Sequence, residues 1–106
     1  MILIVGIFEL LASEMALARD LIEPVVAATL REAGCQRYHF AVDVCAPNRI
    51  LLIECWESAD ALAAHLCQPH TREFLGRFRQ LRVQRRHVQE YEVSRTTDFD
   101  PRRYVD

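Results

Sequence analysis

The run Glu54-Cys55-Trp56-Glu57-Ser58-Ala59-Asp60-Ala61-Leu62-Ala63-Ala64-His65-Leu66-Cys67-Gln68-Pro69-His70 passes from the end of a strand into a capped helix. Ser58 supplies the side-chain oxygen that satisfies an orphan amide of a first helical turn, and Asp60 suits the positive end of the helix dipole. Ala59, Leu62 and Leu66 recur at helical spacing and form one apolar stripe. At roughly 100° per residue His65 lies on the flank of that stripe, facing inward or along a cleft rim. Pro69 lacks the amide proton and disfavours helix at Gln68, so the segment is expected to bend there and restart at Thr71. Glu54 and Trp56, two residues apart on a strand, share a face. A carboxylate, an indole and an imidazole therefore come within reach of one cleft.

Outward from this run, Ile50 to Glu57 reads as one arm of a hairpin whose other arm is Arg37 to Val44, with Tyr38, Phe40, Val42 and Val44 alternating onto one face. Ala46-Pro47-Asn48-Arg49 has the residues of a turn between them. Residues 2 to 10 form an apolar, β-branched strand that needs cover on both sides, and Gly6 within it suggests a bulge. A helix is expected to start at Ser13, to carry Ala18, Leu21, Ile22, Val25, Val26, Thr29, Leu30 and Ala33 on one stripe, to be kinked near Asp20 by Pro24, and to end at a left-handed Gly34. Phe74, Leu75, Phe78 and Leu81 make a further helical stripe. Arg82 to Val93 is the last strand, with a bulge expected near Gln89. The order strand, helix, strand, strand, helix, strand predicts a ferredoxin-like α+β domain, βαββαβ with an antiparallel sheet, over residues 1–93, followed by a polar tail, 94–106. Helices cover only one face of such a sheet. The other face is apolar along the first and third strands and calls for a second sheet, hence a homodimer.

The chain of 106 residues is long enough for one domain. Its thirteen basic residues are all arginine, yet the formal charge is −2. The arginine-rich run from Arg72 to Arg86 is interleaved with Glu73 and Gln80 and reads as a solvated face, so no nucleic-acid partner is expected. No apolar run approaches the ~20 residues that span a bilayer, so no membrane association is expected. The N-terminal Met-Ile-Leu-Ile-Val-Gly reads as a strand rather than a signal peptide, which points to the cytoplasm. Cys35, Cys45, Cys55 and Cys67 lack Cys-x-x-Cys spacing and are read as buried, small apolar residues. His39, His65, His70 and Glu54 have no spacing that marks a metal site, so none is expected.

Glu32, Gly34, Cys35 and Tyr38, followed by Glu54, Trp56, Glu57 and Ser58, then Ala61, His65, Pro69, His70 and Phe74, form a pattern that resembles the antibiotic biosynthesis monooxygenase (ABM) family, in particular its quinol monooxygenase-like branch. The resemblance extends from Met1 to about Val93. It implies a dimeric α/β barrel in which each subunit's cleft lies between its helices and its sheet. It also implies His65 and Glu54 as catalytic candidates, with Trp56, His70, Phe74 and Tyr38 binding the substrate. An imidazole takes up a proton near neutral pH; the competing reading of His65 is a cleft-edge histidine bonded to backbone, and that of Glu54 a carboxylate paired with an arginine. For Trp56 the competing reading is a core residue, and for His70 a helix cap.

The chain has no dinucleotide fingerprint, phosphate loop or nucleophile elbow. The implied activity is a cofactor-independent oxidation of a quinol or polyphenolic aromatic by dioxygen, with no metal or organic cofactor. A non-catalytic or regulatory dimer that binds a small ligand, or an isomerase of a small sugar-like signal, are the alternatives. The haem-degrading branch fits less well, because the first strand ends in Ile7-Phe8-Glu9 without the Asn that branch has there, and His65 stands where that branch has a tryptophan.

Overall fold

A computed structural model of the chain describes residues 1–105. The strands are β1 (Ile2–Leu10), β2 (Cys35–Asp43), β3 (Ala46–Trp56) and β4 (Val83–Glu92), and the helices are α1 (Met15–Thr29), α2 (Ala59–Leu66) and α3 (Pro69–Phe78). The four strands form one antiparallel sheet in the order β2-β3-β1-β4, the ferredoxin-like arrangement. Alternation decides which side chains meet the helices. Tyr38, Leu52, Phe8 and Trp56 turn to the helical side and join Val25, Leu62, Phe74 and Phe78 in the core. Leu3, Val5, Ile7, Leu51 and Ile53 alternate to the opposite side, where among the described residues no element covers them. Val5, Ile53 and Tyr91 are 38%, 44% and 45% exposed there.

Several local expectations are corrected. The hairpin turn is Val44-Cys45, not residues 46–49: Asp43 Oδ1 accepts the amide of Cys45 at 2.8 Å, and Asp43 pairs with Ala46. The Pro-Asn pair that resembled a turn lies within β3, where Asn48 Nδ2 donates to the Leu10 carbonyl at 2.9 Å. With this closure Cys55 faces Arg37 and Phe40 faces Leu52. In β4 the irregularity falls between the partners of Glu9 and Leu10, at Arg85 and Val83, while Gln89 pairs regularly with Val5. The first helix is preceded by a 3-10 turn at Ala12–Glu14 and continues through Pro24. It ends at Thr29 rather than at Gly34, because the amides of Arg31 and Glu32 bond back three residues, to Ala28 and Thr29, and tighten the chain out of the helix. Gly34 does take the left-handed conformation, φ 81°, closing the turn that carries Glu32.

The break between the last two helices is at Cys67-Gln68, and α3 restarts at Pro69 itself rather than at Thr71. Proline is well tolerated in a first helical turn, where its missing donor has no intrahelical acceptor anyway. The Ser58 cap forms as expected, accepting the amide of Ala61 at 3.1 Å. Of the expected stripe on α2, Leu62 is buried but Leu66 is half exposed; His65 takes the inward position instead. Only Cys55 is buried among the four free cysteines; Cys35 is intermediate and Cys45 and Cys67 are exposed, because the turn and the helix break lie at the surface. In the tail, Phe99 and Tyr104 stack on each other with ring centroids 6.2 Å apart and remain exposed.

Candidate active site

His65 is 2% exposed and sits between the sheet and the turn after α1. Its Nδ1 lies 2.7 Å from Glu32 Oε2. An ionised carboxylate only accepts, so this contact places the proton on Nδ1 and leaves the lone pair on Nε2. Thr71 Oγ1 lies 3.2 Å from the same nitrogen, and His70 Nε2 reaches the same Glu32 oxygen at 3.0 Å. Glu32 thus bridges two imidazoles, one buried and one 28% exposed. Two flat rings hold the His65 ring in orientation: Trp56 at 4.5 Å and Tyr38 at 5.4 Å between centroids.

On the Nε2 side stands Glu54, its Oε1 at 4.0 Å, too far for a hydrogen bond. Among the described residues no arginine pairs with Glu54. Its partner is the indole of Trp56, whose Nε1 donates to Oε1 at 2.9 Å. Burial raises the Glu54 carboxyl above its ordinary value; the Trp56 hydrogen bond and His65 act against that, and Glu32 adds to it. Burial, followed by the Glu54 and Glu32 carboxylates, pushes the Tyr38 phenol well above its usual range, so Tyr38 is a neutral donor here. Cys35 is likewise pushed up, by burial and then by Glu32, which argues against a thiolate nucleophile.

A cavity of about 410 Å³ opens between the helices and the sheet. His65, Glu54, Tyr38 and Thr71 reach it, and Phe40, Leu52, Phe74 and Val88 are among its apolar walls. Of the residues expected to bind substrate, Tyr38 and Phe74 therefore line the cavity. Trp56 is fully buried behind Glu54, and His70 borders a separate, smaller hollow beside Pro24 and Arg77. A larger, shallower groove of about 520 Å³ along α1 and the β2–β3 edge carries Arg19 and Glu23 but none of the grouped histidines or buried carboxylates, so it lacks converging chemistry. His39 alternates onto the opposite sheet face from Tyr38.

The residue that sequence reading left without a role is Glu32. It had appeared only as part of a matched pattern, and its function as partner of His65 depends on a contact 33 positions away. Together Glu32, His65 and His70 offer three ligand atoms within 4.8 Å of one another, a set that suits a divalent transition metal. The 2.7 Å and 3.0 Å separations equally describe imidazole N–H groups donating to one carboxylate oxygen.

Residues 1–77 match the family model described as antibiotic biosynthesis monooxygenase. The chain is 36% identical over 63 residues to "Probable quinol monooxygenase YgiN" of Escherichia coli (strain K12), a match that covers 52% of this chain and 61% of that protein. A crystal structure from Deinococcus radiodurans that carries the same family name superposes with a TM-score of 0.85 at 25% identity, covering 94% of this chain and 99% of that one. The structure of Rv0793 from Mycobacterium tuberculosis superposes with a TM-score of 0.82 at 18% identity, covering 92% and 98%.

Proposed function

The chain belongs to the antibiotic biosynthesis monooxygenase family, and from that premise we propose that it oxidises a quinol or polyphenolic aromatic with dioxygen, without flavin, nicotinamide or metal. The observation that carries the reading is the buried His65, tied at Nδ1 by Glu32 and adjoining an aromatic-lined cavity. Its free Nε2 is suited to take the proton of a phenolic hydroxyl. The phenolate is electron-rich and reduces dioxygen itself; one oxygen atom enters the ring and the other leaves as water, so that a quinol becomes a hydroxyquinone. Glu54, held by Trp56 and raised by burial, is placed to accept a second proton near Nε2. Tyr38 as a neutral donor and Phe74 as an apolar wall orient the substrate; Trp56 and His70 act from behind, through Glu54 and Glu32.

The working form is a homodimer whose open sheet faces pack together, since Leu3, Val5, Ile7 and Ile53 otherwise face solvent. At micromolar concentration, light scattering should report about twice the chain mass. The catalytic test is His65→Phe, which keeps a ring of similar size and removes the proton acceptor. Oxygen uptake with a panel of hydroquinones and dihydroxynaphthalenes, chelator present, should fall by about 10²–10⁴-fold. The variant also leaves Glu32 short of one donor, so its melting temperature should drop by the equivalent of about 1–3 kcal/mol. A folded His65→Phe protein that keeps most of its turnover would remove His65 as the base. Uptake that appears only on adding iron or flavin would overturn the cofactor-free reading.

A further inference from the structure

The cavity differs at its two ends. One holds Glu54, His65, Tyr38 and Thr71; the other holds Arg79 and Arg86. Between them runs an unbroken series of rings: His65 to Tyr38 at 5.4 Å, Tyr38 to Phe40 at 5.6 Å, Phe40 to Phe74 at 5.8 Å, and Phe74 to Phe78 and Phe78 to Phe8 at 5.3 Å each. The Arg86 guanidinium closes the series, 6.0 Å from the Phe8 ring centroid. Arg79 directly follows Phe78 as the cap of α3 and also lines the cavity.

Strand register fixes the separation. Glu54 pairs with Ile4, and Arg86 pairs with Phe8, four residues further along β1. That offset is roughly 13 Å along the strands and about 10 Å across the sheet, so the two backbones stand about 16 Å apart. With both side chains reaching inward, the remaining span suits a flat ligand of one or two rings.

Charge pairing separates these two arginines from three of their neighbours. Arg77, Arg82 and Arg85, on the same α3–β4 stretch, pair with Glu73, Glu14 and Glu9. Among the described residues Arg79 and Arg86, which line the cavity, have no carboxylate oxygen within 4.0 Å. We propose that Arg79 and Arg86 form the anion-binding end of the cavity, and that the ligand is a hydroxylated aromatic carboxylate whose hydroxyl meets His65 and whose carboxylate meets the two guanidinium groups. A guanidinium fork matches a planar carboxylate, and its position beside Phe8 keeps it near the ring plane of an aromatic ligand. This deepens the oxygenase reading and rests on it for the assignment of the hydroxyl end.

Binding, which needs no turnover, tests the anionic end separately. 6-Hydroxy-2-naphthoate carries the two groups at opposite ends, and 2-naphthol lacks the carboxylate. Two half-solvated ion pairs are together worth about tenfold, so the wild-type protein should bind the naphthoate about tenfold more tightly at low salt. The preference should shrink at high ionic strength. In the Arg79→Gln/Arg86→Gln double variant it should vanish while 2-naphthol affinity stays unchanged. Equal wild-type affinity for the two probes, a preference that survives in the double variant, or no binding of either at millimolar concentration overturns the proposal. Oxygen uptake with neutral quinols separately tests the oxygenase reading. A protein that prefers the naphthoate but oxidises no quinol keeps the arginine end and loses the oxygenase. One that oxidises neutral and carboxylated quinols with the same KM does the reverse.

Discussion

Glu54→Gln should stabilise the protein at neutral pH, and the gain should disappear toward acid. Glu54 is 8% exposed and, among the described residues, accepts one hydrogen bond, from Trp56 at 2.9 Å, and has no cationic group closer than the His65 ring at 4.0 Å. Glutamine keeps an oxygen for the indole, so the main change is the loss of a buried charge. The sign follows from the raised carboxyl. In wild type, the neutral form is favoured by folding; that contribution is complete below the unfolded value of 4.5 and is lost as pH rises through the higher folded value. The amide does not titrate, so the variant gains relative to wild type as pH rises. Relieving a buried, incompletely paired charge is worth on the order of 1 kcal/mol, which for a domain of this length raises the melting temperature by roughly 4 °C. Scans of both proteins at equal protomer concentration, from pH 4 to pH 8, measure the difference. Oxygen uptake should fall in the same variant, since Glu54 no longer accepts a proton. A variant less stable than wild type by the same amount at every pH would show that the carboxylate is not strained by burial, and the argument for its raised value would collapse.

Trp56→Phe removes the one side-chain donor to Glu54 among the described residues and should cost about 1–3 kcal/mol, more at pH 8 than at pH 5, because the carboxyl is driven still higher; thermal melts at the two pH values check this. Gly34→Ala meets two obstacles, φ 81° and a new Cβ that would lie 2.6 Å from the Ala61 Cβ. It should destabilise by about 2–4 kcal/mol, and the Gly34→Ala/Ala61→Gly pair should recover only the steric part, as read from denaturant midpoints. Ile53→Glu, on the open sheet face, should halve the mass found by sedimentation while far-ultraviolet circular dichroism stays unchanged; a dimer that persists would move the interface elsewhere.

The strands and helices were legible because their signals are local: alternation from Tyr38 to Val42, the Ser58 cap and the stop before Pro69 act within a few residues. Local signals also explain the misplacements. Pro47-Asn48 has the chemistry of a turn, but the Asp43 side chain closes the chain earlier and Asn48 is drawn to the Leu10 carbonyl. The stripe of α1 continues in sequence to Ala33, yet the helix tightens after Thr29 and frees Glu32 to reach α2. His65 and Glu54 were recognisable as types and by pattern. Their partners were not: Glu32 and Trp56 became their partners through tertiary packing and a side-chain rotamer, which no spacing encodes. The two arginines of the cavity were submerged in a run that also holds the surface pairs of Arg77, Arg82 and Arg85 with Glu73, Glu14 and Glu9.

The chain's single tryptophan gives the site its own optical reporter. Trp56 is shielded from water, so its emission should be blue-shifted and insensitive to external quenchers. Its ring lies against His65 and its N–H on Glu54, so the indole touches both groups of the candidate site. Its emission band should therefore shift when a ligand entering the cavity rearranges Glu54. No label is needed, and stopped-flow mixing would time ligand entry independently of oxygen consumption.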